Sequence, residues 1–352
     1  MLAIVGSRTT TERSARGLGL RVYDVDPTFE QWRLLQTIAM VNPSFQCIDE
    51  QGKSIFTVHG DLTQVSSLVM EQPQTLKPSD QRPTLGRNPV HLALSSSGRF
   101  LVVANYASGA ISSLPVGREG MLGDVCDVLR FQGQSGPHRV EQAGSHPHQV
   151  ARWPGTDLFF VPDKGLDLVH LVELAGDGQL SLRNQMLARS GAGPRHAAFD
   201  PPNSRAWICN ELDSTLTTCH FDVRRASLTA ERITPLLPES FVGENRAAGI
   251  AAHPSGKSIY VSNRGMDALT VLSVDPGKGA VTERRWVSTY GRVPRFLTLS
   301  PDATALLVAN EGTDSIVSYR IQDDGALQDG HIVAQTGSPV CITFLHTSTG
   351  NA

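Results

Sequence analysis

The sequence predicts an all-β chain folded as a seven-bladed β-propeller. Three observations carry this expectation: a composition suited to short strands and tight turns, a unit repeated every 45 to 58 residues, and two chain ends that each hold part of one further unit. The 352 residues could form one domain or two, so the domain count must come from pattern rather than length. Hydrophobic residues make up 40% and charged residues 18%, with 32 Gly and 21 Pro, a balance that suits many strands separated by turns.

The repeat is anchored on a proline. Pro89-Val-His-Leu-Ala-Leu is followed by a polar turn at 95–99, then Phe100-Leu-Val-Val-Ala-Asn105, a second turn at 106–109, and a third apolar run at 110–116. The same order recurs from Pro147, Pro194, Ala247 and Pro294, and more weakly from Pro43. Sixteen residues after each anchor stands a polar residue: His59, Asn105, Asp163, Asn210, Asn263 and Asn310. A unit of this length matches a four-stranded propeller blade of roughly 40–50 residues.

Six full units leave a remainder. After Pro339 only one apolar strand follows, while the N-terminus supplies Ala3-Ile-Val and Leu20-Arg-Val-Tyr-Asp24 without an inner strand of their own. The two ends are therefore expected to share the seventh blade and to close residues 1–352 into a single ring without free sheet edges. A β-sandwich would not need so regular a period. A parallel α/β fold would need helical patterns between strands, and the best of these lie only near 28–38 and 64–70.

In an antiparallel pair the start of one strand lies beside the end of the next. The positions one and seventeen residues after each anchor must then share one rim, which is the channel mouth if the first strand lines the channel. The first set holds Val90, His148, Arg195, Ala248, Arg295 and Val340; the second holds Tyr106, Lys164, Glu211, Arg264 and Glu311. A structural repeat explains small or apolar residues there but not three arginines, a lysine, a histidine and two glutamates. Convergent polar groups at a concave site are the signature of binding or catalysis. His148, Arg195, Glu211 and Arg264 are the candidate catalytic set, with His146 and Arg295 as candidate substrate contacts. Asn105, Asn210 and Asn263 could serve sugar hydroxyls, although asparagines at strand ends also form turns.

Other chemistries find less support. A formal charge of −3 and a pI near 6.4 give no general attraction for nucleic acid or anionic lipid, so neither nucleic acid nor a membrane is expected as partner. The five cysteines are scattered and lack C-x-x-C spacing, which points to free thiols in a cytoplasmic protein. The start of the chain reads as too short an apolar run for a signal sequence. No G-x-S-x-G elbow, P-loop or dinucleotide fingerprint appears. His146, His148 and His196 could in principle hold a transition metal, but the proline between the first two counts against it, and no metal or cofactor is expected.

The rim motifs resemble the lactonase family of seven-bladed propellers, which includes propeller-type 6-phosphogluconolactonases and the enzyme that interconverts 3-carboxy-cis,cis-muconate and its lactone. The resemblance runs through NPVH (88–91), VANYASG (103–109), HPHQV (146–150), GAGPRHAAF (191–199), NEL (210–212), SNRG (262–265), PRF (294–296) and PVCI (339–342). Residues 71–86 and the N-terminal stretch fit it less well, and the fifth anchor is alanine. For the muconate-lactonizing members the resemblance implies active-site roles for His148, Arg195, Glu211 and an arginine of the next blade, Arg264.

The expected function is metal-independent hydrolysis of a small-molecule sugar lactone, phosphorylated or carboxylated, with 6-phosphogluconolactone opened to 6-phosphogluconate as the leading case. The alternatives are cycloisomerisation of 3-carboxy-cis,cis-muconate and a non-catalytic propeller that binds a partner on its rim. The last would present apolar and aromatic anchors, whereas Tyr106 is the one aromatic residue in the rim set above. His148 or Glu211 would be the base, and Arg195 and Arg264 would hold the carbonyl oxygen or a phosphate.

Overall fold

Each repeat folds into one antiparallel sheet. The computed structural model describes residues 1–71 and 74–345; residues 72 and 73, inside the poorly fitting 71–86 stretch, and 346–352 lie outside the described residues. Seven four-stranded sheets follow one another in chain order, with inner strands beginning at Pro43, Pro89, Ala151, Pro194, Arg246 and Pro294 in blades 1 to 6. In the seventh, the C-terminal strand Pro339–Leu345 is innermost and pairs with Leu2–Ser7, which continues to Leu20–Val25 and Trp32–Ile38. The ends thus share a blade, as expected. The two stretches with the best helical pattern are strands: Trp32–Ile38 is the outer strand of blade 7 and Gln64–Glu71 the third strand of blade 1. Thr75–Pro83, within 71–86, is simply the outer strand of blade 1.

The sixteen-residue register is a physical pairing. Pro43 faces His59, Pro89 faces Asn105, Pro147 faces Asp163, Pro194 faces Asn210, Ala247 faces Asn263 and Pro294 faces Asn310. Proline is tolerated because it begins a strand, where no ladder donor is lost. The polar residue facing it acts as a strut to the third strand seven residues on. His59 Nε2 meets Ser66 Oγ at 2.8 Å, Asn105 Nδ2 donates to Ser112 Oγ at 2.8 Å, and His170 Nε2 lies 3.2 Å from Asp163 Oδ2. Asn210 and Asn263 donate at 2.9 Å to Thr217 and Thr270. A buried polar group is stable only when hydrogen-bonded, so a polar residue recurs wherever this strut is built.

The apolar core lies between blades rather than within one. Seven clusters of buried side chains each join two consecutive blades, including one that joins blade 6 to blade 7 and one that joins blade 7 to blade 1. Between blades 3 and 4, Phe160 packs against Phe199 and Phe221 with ring centroids 4.8 Å from each. Truncating such a ring to alanine costs roughly 3–5 kcal/mol. The five cysteines are unpaired.

Candidate active site

The backbone builds the mouth before any side chain is considered. Immediately after the anchor, blades 1, 2, 4, 5, 6 and 7 carry a bulge, so one extra residue leaves the pleat. In blades 4 and 6 that residue is Arg195 or Arg295. A bulge re-aims its side chain, here toward the rim. The residue before the anchor turns left-handed at Asn42, Asn88, Gly193, Val293 and Ser338. Its carbonyl accepts the N–H of the rim residue beyond the second strand: Gly60, Tyr106, Glu211, Glu311 and Arg8 respectively, at 2.8 to 3.0 Å. In blade 3 the N–H of Lys164 donates to the His146 carbonyl in the same manner.

Glu211 organises the charges on this frame. Its Oε2 lies 2.8 Å from Arg195 Nε, off the line of a good hydrogen bond, and 3.1 Å from Arg264 Nη2. Its Oε1 lies 3.4 Å from Lys164 Nζ. Burial alone would raise the Glu211 carboxyl, but Arg264, Lys164 and Arg195 outweigh it and hold the group well below the carboxylate range. Arg195 also donates to the Ala248 carbonyl at 2.7 Å. Burial, then Arg264, lowers its guanidinium to about 9, which leaves it cationic at neutral pH.

Burial keeps His148, His196 and His91 from taking up a proton at neutral pH. His148 is 7% exposed, packs edge-on to Tyr106 and His196 at centroid distances of 5.6 and 5.2 Å, and has no partner for Nδ1 among the described residues. Burial, followed by Arg195, His196, Lys164 and Arg295, pushes its pKa well below the usual imidazole value. His196 and His91 behave likewise, with His91 at about 3 through burial and Arg195. His91 lies edge-on to His196 and against Phe45, so it is a packed channel residue.

The structure therefore brings His148, Arg195, Glu211 and Arg264 to one mouth, with Arg295 beside Glu311 at 3.7 Å. His146 is placed differently. Its ring stacks on Tyr106 at 4.5 Å and its Nδ1 lies 3.0 Å from the Tyr106 carbonyl. Among the described residues no group of three or more His, Cys, Asp or Glu is placed to hold a metal ion. The asparagines need a correction as sugar contacts. Asn105, Asn210 and Asn263 are buried within their blades, where their amides link neighbouring strands as described above. A structural strut, rather than a ligand, explains their recurrence.

Arg8 and Glu141 are mouth residues outside the sequence expectation. Arg8 occupies in blade 7 the place that Glu211 holds in blade 4, because Pro339 pairs with Ser7 just before it. Its anchor lies at the far end of the chain, so no count along the sequence could reach it. Glu141 sits in the connection between blades 2 and 3, where no repeat applies, and crosses the mouth to bind Lys164 Nζ at 2.6 Å and also Arg246. This connection hugs blade 3: a Cβ on Gly165 would stand 1.7 Å from the Gly144 carbonyl oxygen. A cleft of about 1270 Å³ opens at the opposite end of blades 1 and 2, around Asp49, Lys53 and Arg152, but none of the mouth residues lines it.

Comparison with known proteins gives this geometry its context. A family model described as "Lactonase, 7-bladed beta-propeller" matches residues 3–344. The 6-phosphogluconolactonase of Bacillus subtilis (strain 168) is 28% identical over 262 residues, covering 74% of this chain and 74% of its own. That of Formosa agariphila is 28% identical over 319 residues, covering 86% and 88%. Among solved structures, the periplasmic gluconolactonase of Pseudomonas aeruginosa superposes with a TM-score of 0.87 at 26% identity, over 98% of this chain and 99% of that one. The match extends from the first strand to the last and includes the shared closing blade, so the chain belongs to the lactonase family of seven-bladed β-propellers.

Proposed function

We propose that this protein hydrolyses a sugar lactone, 6-phosphoglucono-1,5-lactone, to 6-phosphogluconate, with His148 as general base. The observation that carries the assignment of roles is the contrast between His148 and Glu211. Glu211 is a carboxylate both of whose oxygens are engaged with cations, three in all. His148 is a neutral imidazole outside the ion-pair cluster, and its buried Nδ1 has no hydrogen-bond partner among the described residues. The names of relatives at 28% identity support lactone chemistry and suggest the phosphorylated substrate.

In this mechanism water attacks the ring carbonyl carbon while His148 accepts the water proton. Arg195 and Arg264, held by Glu211, stabilise the charge that develops on the carbonyl oxygen. As the bond from the carbonyl carbon to the ring oxygen breaks, the proton passes from His148 to that oxygen, which becomes the hydroxyl of the open acid. A positioned general base contributes typically 10²–10⁴-fold.

The test is acid release from freshly generated 6-phosphogluconolactone, corrected for spontaneous hydrolysis, for the wild type and His148→Asn. Catalysed opening that falls at least a hundredfold in the variant is expected. No acceleration by the wild type would overturn the lactonase reading, and an undiminished variant would overturn the role of His148.

A further inference from the structure

The cations at the mouth are not equally compensated. In blades 3 to 5, Lys164, Arg195 and Arg264 all converge on Glu211, and Lys164 also holds Glu141. In blades 6 and 7 the balance differs. Arg8 is 4% exposed, and Asp61, which it meets at 3.1 Å, is also bound through both carboxylate oxygens by Arg13. Arg295 is nearly one-quarter exposed, and its nearest carboxylate, Glu311, stands 3.7 Å away, beyond hydrogen-bond distance. Arg8 and Arg295 also repel one another: burial first, and then Arg295, lowers the Arg8 guanidinium to about 10.

The neighbouring blade leaves room for this arrangement. At the equivalent rim position blade 1 has Gly60, and a Cβ there would come within 2.3 Å of Arg8 Nη1 and 2.9 Å of Ser44 Oγ. Thus the guanidinium of Arg8 occupies the space that a side chain of blade 1 would take. Its backbone is fixed as firmly as that of Glu211, through the Arg8 N–H and the Ser338 carbonyl at 3.0 Å. Arg295, the bulged residue of blade 6, and Arg8, the rim residue of blade 7, hold the same two places in adjacent blades that Arg195 and Arg264 hold in blades 4 and 5. With one shared and one distant carboxylate between them, such a pair favours an added oxyanion, which a guanidinium can bind through a planar fork of donors.

We propose that Arg8 and Arg295 form a subsite for a second, remote oxyanion of the ligand, a phosphate or a carboxylate, so that the ring-closing blade sets charge specificity. This assignment rests on the lactonase reading for the identity of the rest of the ligand, but not for the affinity of the pair for an oxyanion. Glu211 and its partners would hold the reacting end, while Arg8 and Arg295 would hold the charged end.

Calorimetric titration with inorganic phosphate, 6-phosphogluconate, glucarate and gluconate tests it on the wild type, Arg8→Gln and Gly60→Ala. Gly60→Ala keeps the charge but pushes the flexible tip of Arg8 aside, so it carries the test even if Arg8→Gln does not fold. The wild type is expected to bind inorganic phosphate and to prefer 6-phosphogluconate over gluconate at least tenfold, with both features lost in each folded variant. A preference for glucarate that is lost in the same way would identify the anion as a carboxylate and support the subsite. A wild type that binds no phosphate and has no preference for either doubly charged acid, or variants that keep the preference, would overturn it. Arg8-dependent phosphate binding without lactone hydrolysis would leave the subsite standing and remove the lactonase reading; hydrolysis with discrimination independent of Arg8 would do the reverse.

Discussion

Glu211 Oε1 lies 3.4 Å from Lys164 Nζ, although the two residues come from adjacent blades and hold equivalent places in the repeat. One carboxylate thereby serves a lysine and two arginines. Removing the carboxylate and removing one cation should therefore differ in effect. Glu211→Gln leaves Arg195, Arg264 and Lys164 without their common counter-charge, and breaking a buried pair costs roughly 3–5 kcal/mol. Arg195→Ala leaves Glu211 with two cations. Both should lower turnover at least roughly tenfold, about 1.4 kcal/mol of transition-state stabilisation. Thermal melting should fall more in Glu211→Gln; equal melting shifts would mean that Glu211 is not the hub.

The low pKa of His148 fixes the sign of the pH dependence of activity. Its basic form persists below the usual imidazole value of about 6.5, because burial and four neighbours disfavour the cation. The acid limb of kcat/KM should therefore lie below pH 6.5 and should disappear from the residual activity of His148→Asn. An acid limb at or above pH 7 in the wild type would contradict a buried neutral imidazole.

Stability should also depend on pH through the buried histidines. His91, His148 and His196 resist protonation in the fold but accept a proton near pH 6.5 when unfolded. Their contribution is complete above that value and is lost as pH falls, from about 6.5 toward about 3 for His91. The slope approaches about 1.4 kcal/mol per pH unit for each histidine. Carboxylates held low, such as Glu211, add to this loss only below about pH 4.3. Urea midpoints should hold from pH 7.5 to about 6.5 and fall from there to pH 5, and His196→Gln should reduce the slope of the fall. A flat profile would show that the native state takes up the protons as well.

Asn105→Ala separates a strut from a ligand. Asn105 accepts from Thr84 Oγ1 at 2.7 Å and donates to Ser112 Oγ at 2.8 Å. Leaving those buried partners unpaired should cost roughly 1–3 kcal/mol. The KM for lactone should hold at temperatures where the variant remains folded. A rise in KM without a change in melting temperature would restore Asn105 to the substrate.

The pairing of Pro194 with Asn210, and of every other anchor with the residue sixteen positions on, was legible because strand period and turn length together fix register. That register placed Arg195, Glu211, Arg264 and His148 on one rim without any structure. It did not show that Asn105, Asn210 and Asn263 are buried and tie neighbouring strands, since a strand end at the rim and a side chain directed along the blade look alike in a pattern. It could not reach Arg8, whose partner strand lies more than three hundred residues away in sequence. Glu141 carries no signal at all, because its place follows from how one irregular connection packs on Gly165.

The N–H of Arg8 donates to the carbonyl of Ser338, and the N–H of Arg16 donates to the Ser338 hydroxyl, both at 3.0 Å. The Arg16 donor precedes its Ser338 acceptor by 322 residues, so the donors are made well before the acceptors. The blade that carries Arg8 has no inner strand until Pro339–Leu345 has left the ribosome. Most of the mouth can assemble as successive blades stack, but the cation of the closing blade gains its backbone support only then. A chain that stops short of Ser338 therefore lacks the support that holds Arg8 in the circle of charge around the channel.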